Sequence, residues 1–118
     1  MTVQECYAAL DGNYEEVLKR MMNKEALIVK FLKKFEADTS FERLCKAIEE
    51  RQVEEAFREA HTMKGLCQNM AFSGLCVPVE ALTECLRAGN CDETALNYFE
   101  QVKEKYAVVR AAIKELDD

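Results

Sequence analysis

Residues 53–70 read VEEAFREAHTMKGLCQNM. Val53, Ala56, Phe57, Ala60, Met63, Cys67 and Met70 recur at steps that place them on one face of an α-helix. A second face carries different chemistry. With His61 as the zero of a projection at about 100° per residue, Gly65 falls at about 40°, Gln68 at about 340° and Lys64 at about 300°. The apolar stripe centres about 130° away, so His61 is expected at the edge of the core with its ring reaching solvent. Gly65 stands out between strong helix formers, because glycine in a helix interior costs about 1 kcal/mol relative to alanine. Close approach by another backbone is the natural reason for it.

The same helical spacing continues on both sides. Toward the N-terminus, a short helix from Val3 to Leu10 is expected to end at Asp11-Gly12-Asn13, with Asn13 capping a second one from Tyr14. Leu27, Ile28, Phe31, Leu32 and Phe35 form the next stripe, with Lys30, Lys33, Lys34 and Glu36 largely opposite. Asp38-Thr39-Ser40 then predicts a break, and Thr39 and Glu42 stand at capping-box spacing ahead of Phe41, Leu44, Cys45 and Ile48. Between Ile48 and Val53 the stripe jumps by about 100° around the axis, which one straight helix could not bury. A second break is therefore expected near Arg51, although no glycine marks it.

Toward the C-terminus, Ser73-Gly74 signals a helix start, followed by Leu75, Val79, Leu82 and Leu86, with Pro78 tolerable in the early turns. Ala88-Gly89-Asn90 should end it, and Asp92 should cap a last helix carrying Leu96, Phe99, Val102, Tyr106, Val109 and Ile113. Long amphipathic helices joined by short turns pack antiparallel. The expected fold is all-α, an antiparallel four-helix bundle with short additional N-terminal helices. It forms one domain over 1–118, with the short helices in 1–22 and the bundle in 23–118.

Composition agrees. Of 118 residues, 49% are apolar and 32% charged, and four Gly with one Pro supply too few turn-makers for a many-stranded sheet. No apolar run approaches the roughly 20 residues that cross a bilayer, and the N-terminus lacks the basic-then-apolar order of a signal peptide. A soluble, cytoplasmic protein is expected, with no membrane partner. A net charge of −6 disfavours a nucleic-acid surface, which needs dense Lys and Arg, and points instead to a protein partner.

Cys6, Cys45, Cys67, Cys76, Cys85 and Cys91 contain no CxxC pair, and the single histidine, His61, lies outside zinc-ligand spacing from Cys67. Reduced thiols, with no metal and no disulfide, are expected. Nucleophilic catalysis would need a base and an orienting group, and one histidine leaves no such constellation, so an autonomous enzyme is not expected.

One chemistry does fit. A phosphoryl acceptor needs an accessible neutral imidazole nitrogen, and histidine is the side chain that titrates near neutral pH. Lys64, one turn on, brings an ammonium that offsets incoming negative charge, and Gly65 leaves room beside the ring.

At AHTMKGLCQNM the sequence resembles the histidine phosphotransfer (HPt) domain family, whose motif is His-x-x-Lys-Gly after an Ala- and acid-rich helical lead-in. The resemblance runs from about Val53 to Gly89 and takes in GLCVPVEALTECLRAG. It implies that His61 accepts the phosphoryl group, that Lys64 stabilises its charge, and that Gly65, with Gln68 as a polar contact, serves partner docking. Two positions depart from the family pattern. Met63 replaces the usual Leu, and Ala71 stands where a Gly commonly precedes the bundle turn, with Gly74 as its substitute.

The resemblance also implies the partners: a response-regulator receiver domain, a hybrid histidine kinase, or both. The receiver's acidic pocket and magnesium ion would supply the catalytic groups. This chain, a monomer without cofactor, would bring only the nucleophile, as a phosphoryl carrier rather than a kinase. The alternative is a helical adaptor that binds signalling partners without being phosphorylated. Phosphorylation of His61 separates the two.

Overall fold

The computed structural model describes residues 1–116, so the last two positions of the expected bundle lie outside the described residues. Among those described there are seven helices and no strand: α1 (Val3–Ala9), α2 (Tyr14–Arg20), α3 (Glu25–Ala37), α4 (Ser40–Glu49), α5 (Val53–Asn69), α6 (Ser73–Arg87) and α7 (Glu93–Leu116). The chain is an all-α helical bundle.

Local chemistry accounts for most helix starts. Thr2 and Glu5 form a reciprocal capping box on α1, and Asn13 accepts from the Glu16 N–H at 3.0 Å to open α2. Asp92 accepts from the Ala95 N–H at 3.2 Å at the head of α7. The box expected from Thr39 and Glu42 does not form. Thr39 has φ −104° and ψ 7°, outside the extended conformation that aims a cap side chain at the first amides, and its hydroxyl accepts from Arg43 instead. Asp38 takes over, accepting from the Ser40 N–H at 2.8 Å.

The helix ends share one device. After α1, α2, α4, α5 and α6 the chain passes through a residue with positive φ, namely Asp11, Met22, Arg51, Ala71 and Gly89. Each time, that residue's N–H and the next one bond back to the helix. In α5, Ala71 N–H donates to the Gln68 carbonyl at 3.2 Å and Phe72 N–H to the Cys67 carbonyl at 2.9 Å. This is the Schellman arrangement, which satisfies the last carbonyls of a helix. The break near Arg51 is one such turn. The expectation that Gly74 replaces a missing turn glycine is corrected: Ala71 itself adopts φ 55°, and Gly74 lies inside α6. A side chain at Gly74 would collide with Asp11, whose carbonyl accepts from the Gly74 N–H at 2.9 Å, so that glycine permits a close approach.

Packing follows chain order. α4 lies on α5, α5 on α6 and α6 on α7, and the short connections make each pair antiparallel. α3 and α1 both lie against α7. Ile28, Leu32, Leu44, Met63, Leu75, Leu82, Val102 and Ile113 fill the core between them. Aromatic contacts tie the layers together: Phe41 stacks on Tyr106 with centroids 3.9 Å apart, and Phe35 meets Phe72 edge-on at 5.0 Å. Tyr7 of α1 is wholly buried, and its hydroxyl donates to the Met70 carbonyl at 2.8 Å. With Asn13 N–H on the Ala71 carbonyl at 2.9 Å, the N-terminal segment clasps the α5–α6 turn.

Candidate functional site

α5 presents its buried stripe, Ala56, Ala60, Met63 and Cys67, to the core, and its polar face turns outward. His61 lies mid-helix on that outer face and is exposed, as the projection predicts. Lys64 follows one turn later, half-buried. Gly65 is exposed, and a β-carbon built there would meet nothing within 4 Å. The space beside the imidazole is open.

Gln68 is drawn to the next helix: its amide donates to the Glu80 carboxylate on α6 at 2.9 Å. His61, Gly65 and Gln68 are thus exposed on the outer face of α5 with Lys64 half-buried among them, and Gln68 alone of the four is tied to α6.

Two residues at the site escaped the sequence reading. Phe57 was assigned to the core stripe. It is only half-buried, and its ring stacks against His61 with centroids 5.8 Å apart and planes 29° from parallel. Its other neighbour is Arg87 of α6, whose guanidinium lies 4.9 Å from the Phe57 centroid and pairs with Glu84 at 3.3 Å. The i,i+4 spacing of Phe57 and His61 could have signalled the stack. Arg87 could not have been found this way, because only the α5–α6 packing brings it near.

The surrounding charges are mostly paired. Arg58, one turn before His61, pairs with Glu55 and holds that carboxyl below the usual carboxylate range; both are exposed, so the pair adds little stability. Glu59 is nearly buried and accepts from Arg43 of α4 at 3.0 Å, which spares the core an unpaired charge. Thr62 donates to the Arg58 carbonyl at 3.0 Å. Lys64 is the nearest cation along the helix after His61.

No group of three or more His, Cys, Asp or Glu arranged for a metal occurs among the described residues, and the six cysteines are free thiols. No described helix is long and apolar enough to cross a membrane. His61 stands on a convex helix surface, with a shallow groove beside Phe57 and Arg87 on one side along α5 and another beside Leu66 and Asn69 on the other. His61 itself lines neither groove.

The Hpt domain family model matches residues 31–118, which takes in all of α4 to α7 and leaves α1, α2 and the start of α3 outside. No curated protein and no solved structure gives a significant match.

Proposed function

The chain belongs to the Hpt domain family, and from that membership we propose that His61 is a phosphorelay nucleophile, exchanging a phosphoryl group with the aspartate of response-regulator receiver domains. The family works by histidine phosphotransfer in two-component phosphorelays, and this chain has a single histidine. The observation that carries the reading is its position: exposed, mid-helix, with open space at Gly65 one turn away.

In the transfer, an imidazole nitrogen lone pair attacks phosphorus while the bond to the aspartyl oxygen breaks and the carboxylate leaves. Stacking on Phe57 limits the orientations of the ring and favours a near-attack geometry. Lys64 offsets the charge that arrives on the ring. The acidic pocket and magnesium ion belong to the receiver, so the chain is a carrier whose contribution is a positioned nucleophile.

The test is incubation with a phosphorylated receiver domain, followed by intact-mass measurement before and after acid treatment. The expected result is a gain of one phosphate that acid removes. His61→Gln should gain none while keeping the helical circular dichroism of the wild type. Labelling of that variant, or an acid-stable product, would place the acceptor elsewhere. A complete absence of labelling with the receivers of its own cell would favour the adaptor.

A further inference from the structure

Cys67, in the last turns of α5, is fully buried; Cys76, near the start of α6, is half-buried. The turn ties both to one residue. Phe72 donates its N–H to the Cys67 carbonyl at 2.9 Å, and its own carbonyl accepts from the Cys76 N–H at 2.8 Å. Across this turn the two thiols come within interacting range of each other. Cys76 also borders a shallow polar groove with Glu16, Arg20 and Ser73, which gives it an access to solvent that the fully buried Cys67 lacks.

A reachable thiol backed by a second, shielded one is the arrangement that turns a peroxide reaction into a reversible disulfide. We propose that Cys67 and Cys76 form a peroxide-reactive dithiol, in which Cys76 is oxidised first and Cys67 resolves it to a disulfide joining α5 to α6. This site is separate from His61 and independent of the phosphotransfer reading.

The step balances. The Cys76 thiolate attacks one oxygen of hydrogen peroxide, an S–O bond forms, the O–O bond breaks, and hydroxide leaves to become water with the proton Cys76 has shed. The Cys67 sulfur then attacks the Cys76 sulfenic acid. An S–S bond forms, the S–OH bond breaks, and the hydroxide takes the Cys67 proton as a second water. Two thiols lose two electrons and one peroxide gains them.

The electrostatics favour that order. The hydrogen bond from Cys67 holds the Cys76 thiol below its ordinary range, outweighing burial and the nearby carboxylates of Glu80 and Glu16. The same bond, together with burial, pushes Cys67 well above its own range. Burial also pushes Cys6, Cys45 and Cys85 up, which keeps them protonated and slow.

The experiment treats the reduced full-length protein with hydrogen peroxide, blocks remaining thiols by alkylation, and maps peptides by mass spectrometry. The expected product loses two hydrogens, contains a Cys67–Cys76 link that dithiothreitol reverses, and leaves the other four of the six cysteines alkylated. In Cys67→Ala, oxidation should stop at a sulfenic acid on Cys76 that dimedone traps. In Cys76→Ser the link and the trapped adduct should both disappear. Should Cys67→Ala fail to fold, wild-type mapping still decides. Six alkylated cysteines after peroxide treatment, first oxidation at Cys91, or a link between any other pair would overturn the proposal.

Discussion

Under the proposed function, a side chain at Gly65 should act on stability and on docking in opposite directions. The position is helical and exposed with nothing near a β-carbon, so Gly65→Ala should stabilise the fold by up to about 1 kcal/mol, read as a raised Tm. Gly65→Gln and Gly65→Leu should also fold. Their side chains would project beside His61, where under the proposed function a receiver brings its aspartate into bonding range, so transfer should slow as the side chain grows. Large variants that transfer at the wild-type rate would remove the docking role of Gly65. The exposed face of His61, Lys64 and Gly65 was legible because a single helix projection needs only the sequence. The Phe57–Arg87 support was not, since Arg87 arrives from another helix through tertiary packing.

Helix ends show where sequence signals thin out. Of the five Schellman turns, only the one at Gly89 uses glycine, and Asp11, Met22, Arg51 and Ala71 occupy the left-handed region at a cost. These bonds are backbone bonds, so packing of the flanking helices can impose the turn on any residue. That is why the break near Arg51 was readable only from the rotated apolar stripe, and why Gly74 rather than Ala71 was expected to serve the bundle turn. Met22 offers a clean test, being 68% exposed at φ 55°. A left-handed L-residue costs about 1–2 kcal/mol, against about 0.5–1 kcal/mol of extra chain entropy for glycine. Met22→Gly should therefore raise the Tm by a few degrees in thermal unfolding, and Gly89→Ala, at φ 85°, should lower it. A lowered Tm for Met22→Gly would show that strain is relieved there by other means.

Across the whole molecule, the segment outside the family match is built into the core through Tyr7. Burial, with a smaller push from Cys6, raises the Tyr7 phenol far above its ordinary range. The unfolded phenol ionises near its usual value of about 10 while the folded one stays protonated, so stability is intact below about pH 10 and falls as pH rises beyond it. Tyr7→Phe leaves the Met70 carbonyl without its donor and should cost about 1–2 kcal/mol at neutral pH. It should also lose stability less steeply than wild type above about pH 10, as measured by urea denaturation across pH. Parallel curves for the two proteins would mean that Tyr7 ionises as freely in the folded state as in the unfolded one.

The contact of α1 with α7 has a kinetic consequence. α4, α5 and α6 each pack on the next helix in the chain, and such pairs close short loops, whereas α1 meets α7 only after nearly the whole chain has been brought back on itself. Closing that long loop costs more entropy, so docking of α1 belongs late in folding, after the barrier has been crossed. A residue whose contacts form that late governs how fast the native state is left, and hardly how fast it is reached. In stopped-flow experiments Tyr7→Phe should steepen the loss of native protein by raising the unfolding rate, while the refolding rate in dilute denaturant stays that of the wild type. A slowed refolding limb would move α1 into the folding nucleus.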